Sequence, residues 1–134
     1  MSIRVDIADL PRHLMSRGGG FLLTSILDSR PHVAHLPFEV AAADGQVQLR
    51  ARVGRTSYGN CGQQPSVTVL WPAVDAPPAA PGWPADQGPD GSDADLDRFS
   101  LIVDGEARLD GPEHVVIAVT GAVFHRPVPT APSP

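Results

Sequence analysis

Six residues between positions 50 and 60 have side chains suited to holding a phosphate. Arg50, Arg52 and Arg55 supply guanidinium groups, Thr56 and Ser57 hydroxyls, and Asn60 an amide. A guanidinium stays charged and donates in a planar fork that matches phosphate oxygens in pairs. Hydroxyl and amide donors add hydrogen bonds without adding charge. Just upstream, Val47, Leu49 and Ala51 alternate with Gln48, Arg50 and Arg52, the period of a half-buried strand. That period puts Arg50 and Arg52 on one face, about 7 Å apart at strand rise. The chain then passes Gly54 into a tight polar turn, with room for one helical turn, before a second strand at 66–71. A solvated arginine face at a sheet edge is the competing reading of this short motif.

Other candidate chemistry is thin. His32 and His35 are three apart on an expected strand, so they point to opposite faces and make a poor metal pair. Cys61 has no paired base nearby and reads as a buried thiol. Trp71 and Trp83 have rings that could stack on a ligand, although packing is the simpler role for Trp71. Glu39 and Glu106 have no carboxylate partner at useful spacing, and neither a Ser-His-Asp arrangement nor a Walker loop is present.

The elements that must position these residues fit one domain of 134 residues. The composition, 42% hydrophobic and 19% charged, is that of a globular protein. No apolar run approaches the ~18 residues of a membrane span, and no signal-like segment opens the chain, so a cytoplasmic protein without a membrane partner is expected. One cysteine excludes an internal disulfide. All ten basic residues are arginine, a usage that GC-rich coding explains as well as function does. Net charge is −5, which argues against a nucleic-acid binder. That charge is localised. Residues 72–98 hold six aspartates and one arginine, a balance of −5, and the remaining nine arginines offset nine acids.

Along the chain, Ile7, Leu10, Leu14 and Met15 share a helical face, which predicts a short amphipathic helix over 7–17 with Asp6 or Asp9 as cap and Gly18 as stop. Strands are expected at 21–26, 32–42, 47–52, 66–71, 99–109 and 114–126. Pro37 places the second of these at an edge or a bulge. Asp44-Gly45 signals a hairpin, and Asp110-Gly111-Pro112-Glu113 joins the last two strands. Residues 72–98, with six prolines, read as a long acidic insertion loop, and 127–134 as a proline-rich tail. Six antiparallel strands with one short N-terminal helix predict an all-β fold, a small barrel.

Three segments in this order resemble the pyridoxamine 5′-phosphate oxidase-like, FMN-binding split-barrel family, including its flavin- and deazaflavin-dependent oxidoreductase branch. They are GGGFLLTSILDSRPHVAHLPFEV, VGRTSYGNCGQQPSVTVLW and RFSLIVDGEARLDGPEHVVIAV, and the resemblance runs over roughly 18–124 apart from the insertion. The resemblance implies a six-stranded antiparallel split barrel, a homodimer, and FMN or the deazaflavin F420 bound at the subunit interface. Arg50 and Arg52 would face the phosphate, and Arg55, Thr56, Ser57 and Asn60 would wrap it. The backbone of Leu36, Pro37 and Phe38 would contact the ring. Ser57 stands where the family usually has lysine, which removes a charge. The arginine-rich C-terminal segment of pyridoxamine phosphate oxidases proper is absent, so that activity is not implied. The expected function is redox chemistry on a small molecule with a flavin cofactor. The alternative is a cofactor-less split-barrel dimer acting as a non-catalytic binding module.

Overall fold

The computed structural model describes residues 2–74 and 96–126. Its strands are β1 (Ser2–Arg4), β2 (Gly20–Thr24), β3 (His32–Leu36), β4 (Glu39–Ala43), β5 (Gln46–Arg52), β6 (Ser66–Trp71), β7 (Ser100–Asp110) and β8 (His114–His125). A 3-10 turn at Ile7–Asp9 runs into helix α1 (Leu10–Leu14), and helix α2 (Arg55–Gln63) connects β5 to β6. All the strands join one antiparallel sheet in the order β3-β2-β6-β7-β8-β5-β4, with β1 added beside β8.

The topology forces the sheet to close. β3 and β4 lie at opposite edges, yet only Pro37 and Phe38 separate them in the chain. Laid flat, seven strands would put the edges roughly 29 Å apart. Three peptide units from Leu36 to Glu39 reach at most about 11 Å. The sheet therefore curls into a barrel, with one bent strand pairing β2 through its first half and β5 through its second.

This accounts for the strand count. The stretch 32–42, expected as one strand, is two, because Pro37 cannot donate to a ladder and the chain changes partner there. With the short β1, the six expected strands become eight. The first helix is also shorter than the 7–17 expected. Asp6 Oδ1 caps the 3-10 turn by accepting from the Ala8 N–H at 3.1 Å, Pro11 sits in the first turn of α1, and Met15 is 86% exposed instead of sharing the buried face of Leu10 and Leu14. The polar stretch after Gly54 forms two and a half turns of helix, more than the single turn expected, as one face carries Ser57, Asn60 and Cys61 inward.

Inside the barrel, Leu22, Leu49, Val69, Leu101, Val103, Val115 and Ile117 have no exposed surface. On β8 the inward phase changes from Val115 and Ile117 to Ala122 and Phe124, because the register slips between Asp104 and Gly105. Thr120 has no strand partner at that slip, and its hydroxyl donates to the Asp104 carbonyl at 3.2 Å. Gly105 opposes this point; a Cβ there would lie 2.5 Å from the Ile117 side chain. At the β4–β5 hairpin Asp44 and Gly45 both take positive φ, 54° and 76°, as a two-residue mirror-image turn requires.

Arg17 joins α1 to the neck of the β6–β7 connection. Its guanidinium donates to the carbonyls of Trp71 (3.4 Å), Pro72 (3.2 Å) and Leu96 (3.0 Å) and lies 5.7 Å from the Phe124 ring centre. Burial lowers its pKa while Asp97 opposes that shift. Ser16 donates to Asp97, and the Trp71 indole to the Gly18 carbonyl. The middle of the expected insertion, 75–95 with Trp83, and the tail at 127–134 lie outside the described residues.

Arg17→Met keeps the apolar stem but strands three carbonyls. It should cost about 2 kcal/mol and lower Tm by about 5 °C. An unchanged Tm in a thermal melt would show that the neck holds without it.

Candidate functional site

The inward side chains Val47, Leu49 and Ala51 leave Arg50 and Arg52 on the outer face of β5, as the alternation requires. β5 pairs with β8, placing Arg50 opposite Val116 and Arg52 opposite His114. β7 continues on the far side of β8, with Arg108 opposite Val116 and Asp110 opposite His114. Val116 points outward yet is only 5% exposed, flanked in register by the two long stems of Arg50 and Arg108.

Both β5 arginines meet carboxylates. Arg50 Nε donates to Asp110 Oδ2 at 2.9 Å, with Glu39, its cross-strand neighbour on β4, at 3.7 Å. Arg52 Nε lies 3.1 Å from Glu113 Oε2. The hydrogen bond from Arg50 holds the Asp110 carboxyl below the ordinary aspartate range, with Arg108 and His114 adding in the same direction. The same bond raises the pKa of Arg50. All these groups remain well exposed to water, which weakens each pair.

Beyond β5, Gly54 is the N-cap of α2 in extended conformation and supplies no side-chain cap. The first intrahelical bond runs from the Tyr58 N–H to the Gly54 carbonyl at 3.0 Å. The N–H groups of Arg55, Thr56 and Ser57 precede it, at the positive end of the helix dipole. Arg55 and Thr56 are exposed beside them. The β7–β8 turn is fastened to this helix: the Tyr58 hydroxyl donates to the Gly111 carbonyl at 2.7 Å, and the Val53 N–H to the Glu113 carbonyl at 2.8 Å.

The six expected phosphate residues thus fall into three groups. Arg50 and Arg52 lie on the sheet face in ion pairs, while Arg55 and Thr56 stand at the open helix end. Ser57 and Asn60 turn inward. Asn60 donates to the Thr24 hydroxyl at 3.1 Å, both side chains being buried. The Ser57 hydroxyl, 1% exposed, has no hydrogen-bond partner among the described residues. Cys61, also buried, has its thiol pKa raised by burial, so it is no ready nucleophile.

Leu36 and Phe38 pack against the core, with the Phe38 ring 5.5 Å from that of Trp71. Pro37 is exposed between them. These three connect to the arginine face through Glu39, the next residue. Trp71 is 2% exposed, the packing role expected of it. His35 stacks on Phe21 at 4.8 Å, and no cluster of His, Cys, Asp or Glu among the described residues could hold a metal.

No protein-family profile matches this chain, and no curated protein sequence does. Solved structures do. A NimC/NimA family protein from Clostridium acetobutylicum superposes with a TM-score of 0.55 at 13% identity, over 90% of this chain and 85% of its own. A conserved protein of unknown function from Corynebacterium diphtheriae gives 0.54 at 16%, over 92% and 98%. A putative pyridoxamine 5′-phosphate oxidase from Listeria innocua gives 0.51 at 16%, over 87% and 94%. The chain has the pyridoxamine 5′-phosphate oxidase-like split-barrel fold. The expected all-β barrel with a short N-terminal helix is what this fold provides, and at these identities the likeness is one of fold. Among the described residues no helix is long and apolar enough to cross a membrane.

In this split barrel the carboxylates on Arg50 and Arg52 are the residues that spacing along the sequence misses. Asp110 and Glu113 are some sixty positions away, and only the β5–β8–β7 order brings them near. Because the Asp110 pKa is depressed in the fold, its pair with Arg50 stabilises above the ordinary aspartate value of 3.8 and is lost as pH falls through the lower folded value. Wild-type Tm should therefore fall more steeply than that of Asp110→Asn between about pH 4 and 2. Parallel curves would contradict the pairing.

Proposed function

We propose that the protein binds a phosphate-bearing flavin-type cofactor, FMN or F420, and acts as an oxidoreductase on a small molecule. The observation that carries this reading is the uncapped start of α2. Three successive N–H groups converge there beside exposed Arg55 and Thr56, at the end of a strand carrying two more arginines. A helix start with free donors and a neighbouring guanidinium favours an oxyanion. The fold likeness to a putative pyridoxamine 5′-phosphate oxidase adds support. When bound, a flavin supplies hydride transfer through its own ring, so the protein needs no acid–base pair. On this reading the α2 N–H groups, Arg55 and Thr56 hold the phosphate, and Arg50 and Arg52 add charge from the adjacent face. Buried Asn60 and Ser57 set the helix against β2, and the Leu36–Phe38 segment offers backbone to the ring.

A second reading has its own support. Arg50 and Arg52 already have carboxylate partners, and Ser57 is turned away from solvent, as in a barrel that works without cofactor as a non-catalytic binding module. Colour separates the two. Purified protein with flavin absorbance, or calorimetric binding of FMN or F420 that falls at least tenfold in Arg55→Ala, supports the cofactor reading. Colourless protein that binds neither compound supports the module.

Both readings include a homodimer. All five residues of β4 are exposed, and Val40, Met15, Ala42, Ala8, Pro11 and Leu14, together with Arg12, line an open and mainly apolar groove of about 530 Å³ between α1 and β4. Apolar surface of this kind suits a subunit interface. Light scattering at micromolar concentration should give twice the 14.1 kDa chain mass. A monomer mass would remove the dimer from both readings.

A further inference from the structure

The geometry points to a carboxylate latch: Asp110 and Glu113, on the turn joining β7 to β8, occupy Arg50 and Arg52 in place of an external phosphate and so set the affinity of the site. This rests on the phosphate reading above and specifies how that site is regulated.

The contacts are specific to this turn. Asp110 sits one residue before the positive-φ Gly111 (φ 69°), and Glu113 follows two residues after it. One carboxylate therefore takes Arg50 at 2.9 Å and the other Arg52 at 3.1 Å, so a single turn covers both β5 arginines. The turn cannot swing away as a unit. Tyr58 holds its Gly111 carbonyl and Val53 its Glu113 carbonyl, which ties it to β5 and to the start of α2. The carboxylates, by contrast, are exposed side chains that need only rotate to release the guanidinium groups.

A phosphate at the α2 start would thus compete with two built-in anions for the arginines beside it. Each carboxylate also repels the incoming phosphate, and within about 8 Å salt screens such repulsion only in part. Glu39, at 3.7 Å from Arg50, adds to this, while Arg108 and His114 on the neighbouring strands partly offset it. Neutralising the turn should free Arg50 and Arg52 for the ligand without touching the α2 donors.

The test is calorimetric titration of the full chain with FMN, and with riboflavin as the analogue lacking phosphate. Asp110→Asn and Glu113→Gln should each tighten FMN about fivefold at low salt, the size of one exposed ion pair, and leave riboflavin unchanged. Asp104→Asn removes the same charge about 20 Å away along β7 and should leave FMN affinity as in wild type. FMN binding by the turn variants alone would also support the latch. Equal FMN affinity in wild type and both turn variants, or equal tightening in Asp104→Asn, would overturn the latch while leaving the phosphate reading intact. No binding of FMN or of F420 by any of the proteins would overturn both.

Discussion

The two-residue link between β3 and β4 is the constraint on which the rest of the structure depends. It ties opposite edges of one sheet within about 11 Å, so the sheet must close, and closure leaves an inside and an outside. The inside takes the odd-numbered apolar residues of β5, β6 and β7, and of β8 up to its bulge at Thr120, beyond which Ala122 and Phe124 face inward. The outside receives Arg50 and Arg52. Pairing puts β5 between β4 and β8, where Glu39 and the carboxylates of the β7–β8 turn reach its arginines.

Closure also explains the two helices. They pack toward opposite ends of β8: α1, with the 3-10 turn before it, near Phe124, where His13 meets that ring edge-on at 4.9 Å, and α2 near the β7–β8 turn through Tyr58. The first covers apolar surface with Leu10 and Leu14. The second presents polar groups, because its inward face carries buried Ser57 and Asn60, the latter bonded to Thr24, and leaves Arg55 and Thr56 facing solvent. One end of the barrel is thus covered by an apolar helix face and the other by a polar helix.

Much of this was legible in the sequence. Alternation gave the face of Arg50 and Arg52, Asp44-Gly45 gave its hairpin, and Pro37 marked the place where the strand breaks. What stayed hidden depended on pairing between distant segments. No local pattern shows that Asp110 and Glu113 meet Arg50 and Arg52. The length of α2 was hidden for another reason: Gly59, Gly62 and its polar residues have weak helix propensity, and packing against β7 and β2 overrides it. Met15 keeps helical φ and ψ at the C-cap of α1 and lines the open groove beside β4 instead of the core.

The claim that matters most is that the start of α2 receives a phosphate. Backbone amide shifts followed by NMR during titration with FMN test it directly. The largest shifts should fall at Arg55, Thr56 and Ser57 and be absent when riboflavin replaces FMN. Shifts centred instead on the apolar groove between α1 and β4, or none at the start of α2, would contradict it.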